Sequence, residues 1–299
     1  MKTENTQETK TTLVLGGTGK TGRRVAERLE ARGVQTRIGT RSGEPPFDWG
    51  DEATWEPALR GVGSAYVSYY PDLAIPGAVA AVRSFAGLAA EAGVRRLVLL
   101  SGRGEEEAQR AELAVQEVGE EAGVEWTIVR CAWFDQNFSE NYLLEPILSG
   151  EVVLPSGDVP EPLVDADDIA DVAVAALTED GHAGQLYELT GPRLLTFAEA
   201  VGEIAKATGR EIRFVPVSVE EYESVLEEED VPAEFLSFLT YLFGEVLDGR
   251  NAYQTDGVRR ALGREPKDFS DYARDAAATG VWTPSGAQLP ECPGTVATE

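Results

Sequence analysis

The chain of 299 residues contains two cysteines, one histidine, one methionine and five lysines. Cys131 and Cys292 are too few for a disulfide framework, and a lone His182 cannot assemble a His-based zinc centre, so no metal is expected. Long apolar runs are missing as well: no stretch approaches the roughly 18 residues that a membrane span requires. The start, "MKTENTQETKT", is polar and lacks the apolar core of a signal peptide. These absences point to a cytoplasmic protein with no membrane partner. Positive charge is scarce too, with 26 Lys and Arg against 52 Asp and Glu and a formal charge of −26. A surface this acidic repels phosphate backbones, which argues against nucleic acid as a partner. Acidic runs such as "EEE" at 105–107 and 227–229 read as solvated faces.

What is present is a 42% hydrophobic chain long enough for a large core. Over the first half, short apolar runs alternate with amphipathic stretches: "TTLVLG", "VQTRIGTR", "SAYVSYYP", "RRLVLLSG" and "VEWTIVRCAWF" read as strands, separated by helical segments that stop at glycines such as Gly33. "DADDIADVAVAALTED" reads as a helix capped by Asp165 or Asp167, and "QLYELTG" as one further strand. The economical fold is α/β, a Rossmann-type doubly wound parallel sheet with a smaller, mostly helical C-terminal substrate domain. The expected division is a disordered tail over 1–10, a dinucleotide-binding domain over 11–155 with 164–190 packing back on it, a helical lid over 191–285, and a loose tail over 286–299.

"LVLGGTGKTGRR", at 13–24, carries the Gly-Lys-Thr that ends the phosphate loop of triphosphatases. That motif needs a glycine at position 14, which is Val14, inside the strand. Gly16, Gly19 and Gly22, by contrast, follow a strand directly and open a helix, the arrangement of a dinucleotide site. Glycines there give the tight turn, let backbone approach a pyrophosphate and let helix meet strand, while the helix N-terminus supplies amides and partial positive charge. Thr18, Lys20 and Thr21 belong to the same loop, and Lys20 is placed to touch a phosphate.

The tip of the second strand selects the dinucleotide. NAD sites place an acid there for the ribose hydroxyls, about 20 residues past the loop. Here the stretch is "RIGTRSGE", with Arg37 and Arg41 and no acid at the tip. A guanidinium at Arg41 matches a 2′-phosphate bidentately, so NADP(H) is expected over NAD(H). Asp48, in "FDW", is placed beside the adenine or in a solvated loop.

"LVLGGTGKTGRRVAERL", "LVLLSGRG", "WTIVRCAWFDQNF", "VDADDIADVAVAAL" and "YELTGPRLLTFAEAV", in this order, resemble the NmrA-like, atypical short-chain dehydrogenase/reductase family over about residues 12–283. Within it the chain is similar to the group that includes agroclavine dehydrogenase and the NAD(P)H quinone and azo reductases. The resemblance implies a Rossmann domain, a small helical C-terminal domain and a cleft for a small-molecule substrate between them.

Most short-chain dehydrogenases protonate the carbonyl oxygen with the Tyr of a Tyr-x-x-x-Lys pair. This chain has no lysine between Lys20 and Lys206, and none of its tyrosines is followed four residues later by lysine. Two readings stay open. One is a reductase whose acceptor, an imine, iminium or quinone, is already electrophilic, so that orientation in a dry cleft suffices. The other is a non-catalytic NADP(H) sensor of the NmrA type; a lyase or isomerase on the same scaffold is a third.

Ligands in such folds sit at the carboxyl ends of parallel strands. Those ends carry Ser68, Tyr69 and Tyr70, then Ser101 and Gly102, then Cys131 to Phe134. Tyr69 and Ser101 are candidates to relay a proton, with packing or a cofactor contact as the plainer role; Ser68, Tyr69, Ser101 and Gly102 are candidate cofactor contacts. Tyr70, Trp133, Phe134, Gln136, Asn137 and Tyr142 are candidates for the substrate pocket, with interdomain core as the plainer reading of Trp133 and Phe134. The aromatic stretch "EFLSFLTYLFGE" suits lid closure, amphipathic core or a homodimer contact. His182 is expected to be exposed in a turn, and Cys131 buried and inert.

Overall fold

The computed structural model describes residues 11–228 and 231–284. The tails expected at 1–10 and 286–299, and Cys292, lie outside the described residues. The first half alternates strictly: β1 (Thr11–Leu15), α1 (Lys20–Ala31), β2 (Thr36–Gly39), α2 (Trp55–Leu59), β3 (Val62–Val67), α3 (Ala78–Glu91), β4 (Arg96–Gly102), α4 (Glu106–Ala122) and β5 (Glu125–Cys131). Then come α5 (Asn137–Glu140), α6 (Leu144–Ser149), β6 (Glu151–Leu154), α7 (Ala166–Thr178) and β7 (Gln185–Leu189). The remainder is α8 (Phe197–Thr208), β8 (Arg213–Pro216), α9 (Val219–Glu228), α10 (Ala233–Tyr241), α11 (Gly257–Leu262) and α12 (Phe269–Ala278).

Six strands form one parallel sheet in the order β2-β1-β3-β4-β5-β7. Buried on both faces, its strands read as continuous apolar runs, with alternate residues serving opposite layers. Leu13, Leu15, Leu97 and Leu99 join one core with Trp55, Val82, Phe85 and Val115 from α2, α3 and α4. Val14, Tyr66, Val98 and Val129 join the other with Val25, Leu29, Ile169 and Val172 from α1 and α7. Each fully buried side chain of this kind contributes roughly 1.5–3 kcal/mol. Strand order reverses between β1 and β3, and that reversal opens a crevice at their carboxyl ends.

Helix α1 buries Val25, Ala26 and Leu29 along one stripe, while Arg24, Arg28 and Arg32, four residues apart, face α7. Arg28 reaches Asp167 at 2.8 Å and Asp171 at 2.6 Å, and Arg32 reaches Glu179 at 2.9 Å. Such partly exposed pairs contribute about 0–1 kcal/mol each, so burial rather than charge holds the two helices together. The cap of α7 is Asp165, whose carboxylate accepts from the Asp167 amide at 2.8 Å.

A third core unites Phe138, Leu143, Ile147, Val152 and Leu154 with Phe197, Ile204, Phe243, Phe269 and Trp282. It is not purely helical: β6 and β8 pair in parallel, Val152 opposite Phe214. Helix α11, late in the chain, packs back onto β7 and α7. No helix among the described residues is long and apolar enough to cross a membrane.

Candidate active site

The crevice widens into a cleft of about 1200 Å³ between the sheet's carboxyl edge and the third core. Its floor begins at the β1–α1 turn. Gly16 adopts φ +64°, and the Gly19 amide donates back to the Gly16 carbonyl at 2.8 Å, closing the turn. A Cβ on Gly22 would stand 2.2 Å from the Gly16 oxygen, so only glycine lets the first turn of α1 come this close. Gly22 is thus a spacer that does not itself line the cleft, whereas Gly16, Thr18, Gly19, Lys20 and Thr21 do. The first turn of α1 carries no acidic residue, which leaves its positive end available to an anion. Thr21 is itself buried, its hydroxyl accepting from Tyr66 Oη at 3.0 Å.

From β2 and the segment after it come Arg41, Asp48 and Trp49. Arg41 is exposed and makes no hydrogen bond or ion pair among the described residues, whereas Arg37 is spent on the carbonyls of Ala58 and Arg60. Asp48 accepts from the Gly50 amide at 2.9 Å, a turn contact that fixes the loop it borders. Trp49 was not singled out in the sequence; its indole donates to the Ser68 carbonyl at 3.1 Å and its ring lies 4.8 Å from that of Tyr69.

From β3 come Ser68, half-buried Tyr69 and strongly exposed Tyr70, all on the cleft wall. Burial pushes the Tyr69 phenol above its ordinary range, the direction that weakens it as an acid. Ser101 and Gly102 follow from β4. Ser101 donates its hydroxyl inward to Glu112 at 2.6 Å, and Glu112 is buried against Arg130, whose Nε lies 2.8 Å away. The Ser101 proton is therefore turned away from the cleft, which does not suit the relay expected of it.

Beyond β5 the wall is aromatic, Trp133, Phe134 and Tyr142, and Phe238 and Leu242 line the cleft as well. Trp133 packs edge-on against Phe197 at 5.3 Å, so it serves cleft and core together. The Tyr142 hydroxyl is buried without a hydrogen-bond partner among the described residues. Gln136, expected in the pocket, does not reach it. Its amide donates to Asp165 at 2.7 Å and accepts from the Ala166 amide at 2.7 Å, bracing the start of α7. His182 corrects another expectation: it is buried, with Nδ1 2.9 Å from Tyr187 Oη. Cys131 is buried as expected, and burial pushes its thiol well up.

Lys20 crosses the cleft. Its Nζ donates to Asn137 Oδ1 at 2.7 Å and stands 5.8 Å from the Phe134 ring centroid. Desolvation pushes the Lys20 ammonium down to about 8, against the opposing pull of Glu140 and Asp72. Glu140 in turn holds Arg23 at 2.8 Å and Arg24 at 2.7 Å, binding the glycine-loop helix to α5. Asp72 and Glu105 also line the cleft, and their side chains are near enough to act on each other. Glu105 thus departs from the solvated face expected of its acidic run; it is 9% exposed, while Glu106 and Glu107 pair with Arg110 in solvent. No group of His, Cys, Asp and Glu among the described residues is arranged to hold a metal ion.

No family model matches the chain. The uncharacterized oxidoreductase YesF of Bacillus subtilis is 32% identical over 281 residues, covering 91% of this chain and 97% of that protein. The NAD(P)H azoreductase of Xenophilus azovorans is 29% identical, covering 89% and 98%, and the agroclavine dehydrogenase of Claviceps fusiformis is 29% identical, covering 89% and 96%. Among solved structures, the triphenylmethane reductase of Citrobacter sp. complexed with NADP(H) superposes with a TM-score of 0.69 at 20% identity, covering 89% and 99%. NmrA, a negative transcriptional regulator, superposes at 0.66 and 18%, covering 91% and 98%. With a relative above 30% identity along nearly its whole length, and with the glycine turn at the reversal of a parallel sheet, the chain belongs to the NmrA-like, atypical short-chain dehydrogenase/reductase family, among its NAD(P)H-dependent reductases.

Proposed function

We propose that the protein reduces an activated small-molecule acceptor, an imine, iminium, quinone or similar group, at the expense of NADPH. The observation that carries this reading is one continuous cleft with a glycine turn and, at the same end, an arginine that has no partner among the described residues, and with an aromatic wall at the other end. The cofactor fits the chain's own residues. Backbone amides of the turn between Gly16 and Thr21 would take the pyrophosphate, that of Gly19 being spent on the Gly16 carbonyl, Arg41 would take a 2′-phosphate, and Trp49 and Asp48 would border the adenine. Ser68, Tyr69, Ser101 and Gly102 border the remaining path to the nicotinamide. When bound, the dihydronicotinamide supplies the hydride.

Trp133, Phe134, Tyr142, Phe238 and Leu242 exclude water and present a flat apolar surface, suited to a planar conjugated acceptor. Lys20, fixed by Asn137, orients the acceptor's polar end. With no Tyr-x-x-x-Lys pair, placing an electrophilic acceptor against the nicotinamide supplies much of the rate. In this reading the protein acts in the cytoplasm on a free small molecule.

Purified protein mixed with NADPH and a panel of quinones, azo dyes and cyclic imines tests the proposal, with NADPH consumption as the readout. Turnover of at least one class is expected. Tight NADPH binding with no turnover across the panel, together with a protein partner gained or lost with cofactor redox state, supports the sensor reading instead.

A further inference from the structure

The cleft holds two carboxyl groups that have no part in the cofactor cradle or the aromatic wall. Glu105 is the residue before α4 and Asp72 lies in the segment after β3, and both side chains reach the same cleft, where each acts on the other. Two neighbouring carboxylates repel, so the pair holds one proton more readily than none, and that proton turns one of two acceptors into a donor. The Glu105 carboxyl lies over the Cα of Gly102, where a Cβ would stand 2.3 Å from Oε1, so it sits at the carboxyl end of β4. Asp72 is anchored separately, Oδ1 accepting from the Ala74 amide at 2.9 Å.

We propose that the carboxyl pair Asp72 and Glu105 at the end of β4 is the proton donor of the reduction, in the place left by the missing tyrosine; this rests on the reductase reading above. For a neutral acceptor C=X, with X nitrogen or oxygen, the carbon takes the hydride and forms a C–H bond. The π pair moves onto X, and the Glu105 O–H bond breaks to give X its proton. The acceptor is reduced, the nicotinamide is oxidised, and the pair, left with two carboxylates, regains one proton from water at the mouth of the cleft.

The surroundings suit this work. Burial, and then the charge of Asp72, hold Glu105 well above the usual carboxylate range, with Glu112 adding in the same sense. Burial also raises Asp72, while the Lys20 ammonium pulls it back. The pair therefore has a charged partner on one side and a proton to give on the other. Groups in the field of the pair are Glu112 of α4, Tyr241 of α10 and Lys20 of α1, the last of these shared with Glu140 of α5. Donors tuned toward neutrality are the efficient ones, and such groups contribute about 10²–10⁴ in rate.

Glu105→Gln preserves shape but has no acidic proton. Two readouts test it. In cofactor-free protein at neutral pH, infrared difference spectra of wild type minus variant are expected to show a protonated-carboxyl stretching band that the variant lacks. In turnover, the rate on a neutral cyclic imine is expected to fall about a hundredfold more than the rate on an N-alkylated iminium, which takes hydride and needs no proton. Asp72→Asn is the second variant: removing its charge lowers the Glu105 pKa, so the alkaline limb of the imine pH–rate profile moves to lower pH. An absent band, or an unmoved ratio between the two acceptors, overturns the proposal while leaving the reductase reading intact. Wild type that turns over neither acceptor overturns both.

Discussion

Lys20 Nζ lies 2.7 Å from Asn137 Oδ1, a hydrogen bond that joins the glycine turn after β1 to the segment after β5. The two residues are 117 positions apart, yet the bond places the cofactor cradle and the aromatic wall in fixed relation. A cleft that must align two reacting molecules needs such a tie, because small misplacements of a near-attack geometry are costly in rate.

Gly22→Ala is expected to disable the cofactor site. The new methyl meets the Gly16 oxygen at 2.2 Å, inside any allowed contact, so the turn must shift. Overpacking of this kind costs about 1–3 kcal/mol of stability, and calorimetric titration is expected to show at least a tenfold loss of NADPH affinity.

Arg41→Ala is expected to weaken NADPH by about 1–3 kcal/mol, the scale of a charge-assisted contact, while sparing NADH. The motivation is a guanidinium at the cleft with no partner among the described residues. Parallel titrations of both cofactors against wild type and variant decide it. Equal weakening of both removes the 2′-phosphate assignment.

Glu161 supplies a prediction about pH. It is buried, with neither carboxyl oxygen hydrogen-bonded among the described residues, and burial raises its pKa to about 7, with Arg103 opposing. The unfolded carboxyl ionises near its ordinary value, so between roughly pH 4.5 and 7 the folded state binds the extra proton. Stability therefore falls as pH rises through that window. Glu161→Gln removes the term: urea unfolding is expected to show the variant gaining on wild type by an order of 2 kcal/mol between pH 4.5 and 8. An equal difference at both pH values contradicts the burial argument.

Lys20 gives the opposite slope. Its folded pKa, about 8, lies below that of the unfolded chain, so from about pH 8 to 10 the unfolded state binds the extra proton and stability rises. Lys20→Met is expected to lack that rise when unfolding is followed across the same range.

The β1-turn-α1 unit was readable because its information is local: an apolar strand, glycines three apart and a helix stopped by Gly33 lie within one short stretch. The parallel sheet was readable for the same reason, each strand being a bounded apolar run. β6 and β8 were missed because four residues, "EVVL" and "RFVP", are too short to establish a period, and their pairing depends on each other across 62 positions. Gln136 and His182 were misjudged because a polar residue's neighbours in sequence do not reveal a partner such as Asp165 or Tyr187. Glu105 was hidden by its run: three consecutive glutamates look alike in sequence, and only the turn after β4 directs the first into the cleft while the others face solvent. Trp49 carried a signal, an aromatic just past the second strand's tip, that could have marked it.

The central claim is hydride transfer from NADPH to the acceptor, and isotope transfer tests it most directly. NADPH carrying deuterium at C4, prepared in each stereochemical form, is turned over with a cyclic imine and the product weighed by mass spectrometry. One of the two forms is expected to deliver one deuterium to carbon for each NADPH consumed. Product without label from either form, or NADPH oxidised with no reduced acceptor formed, would contradict it.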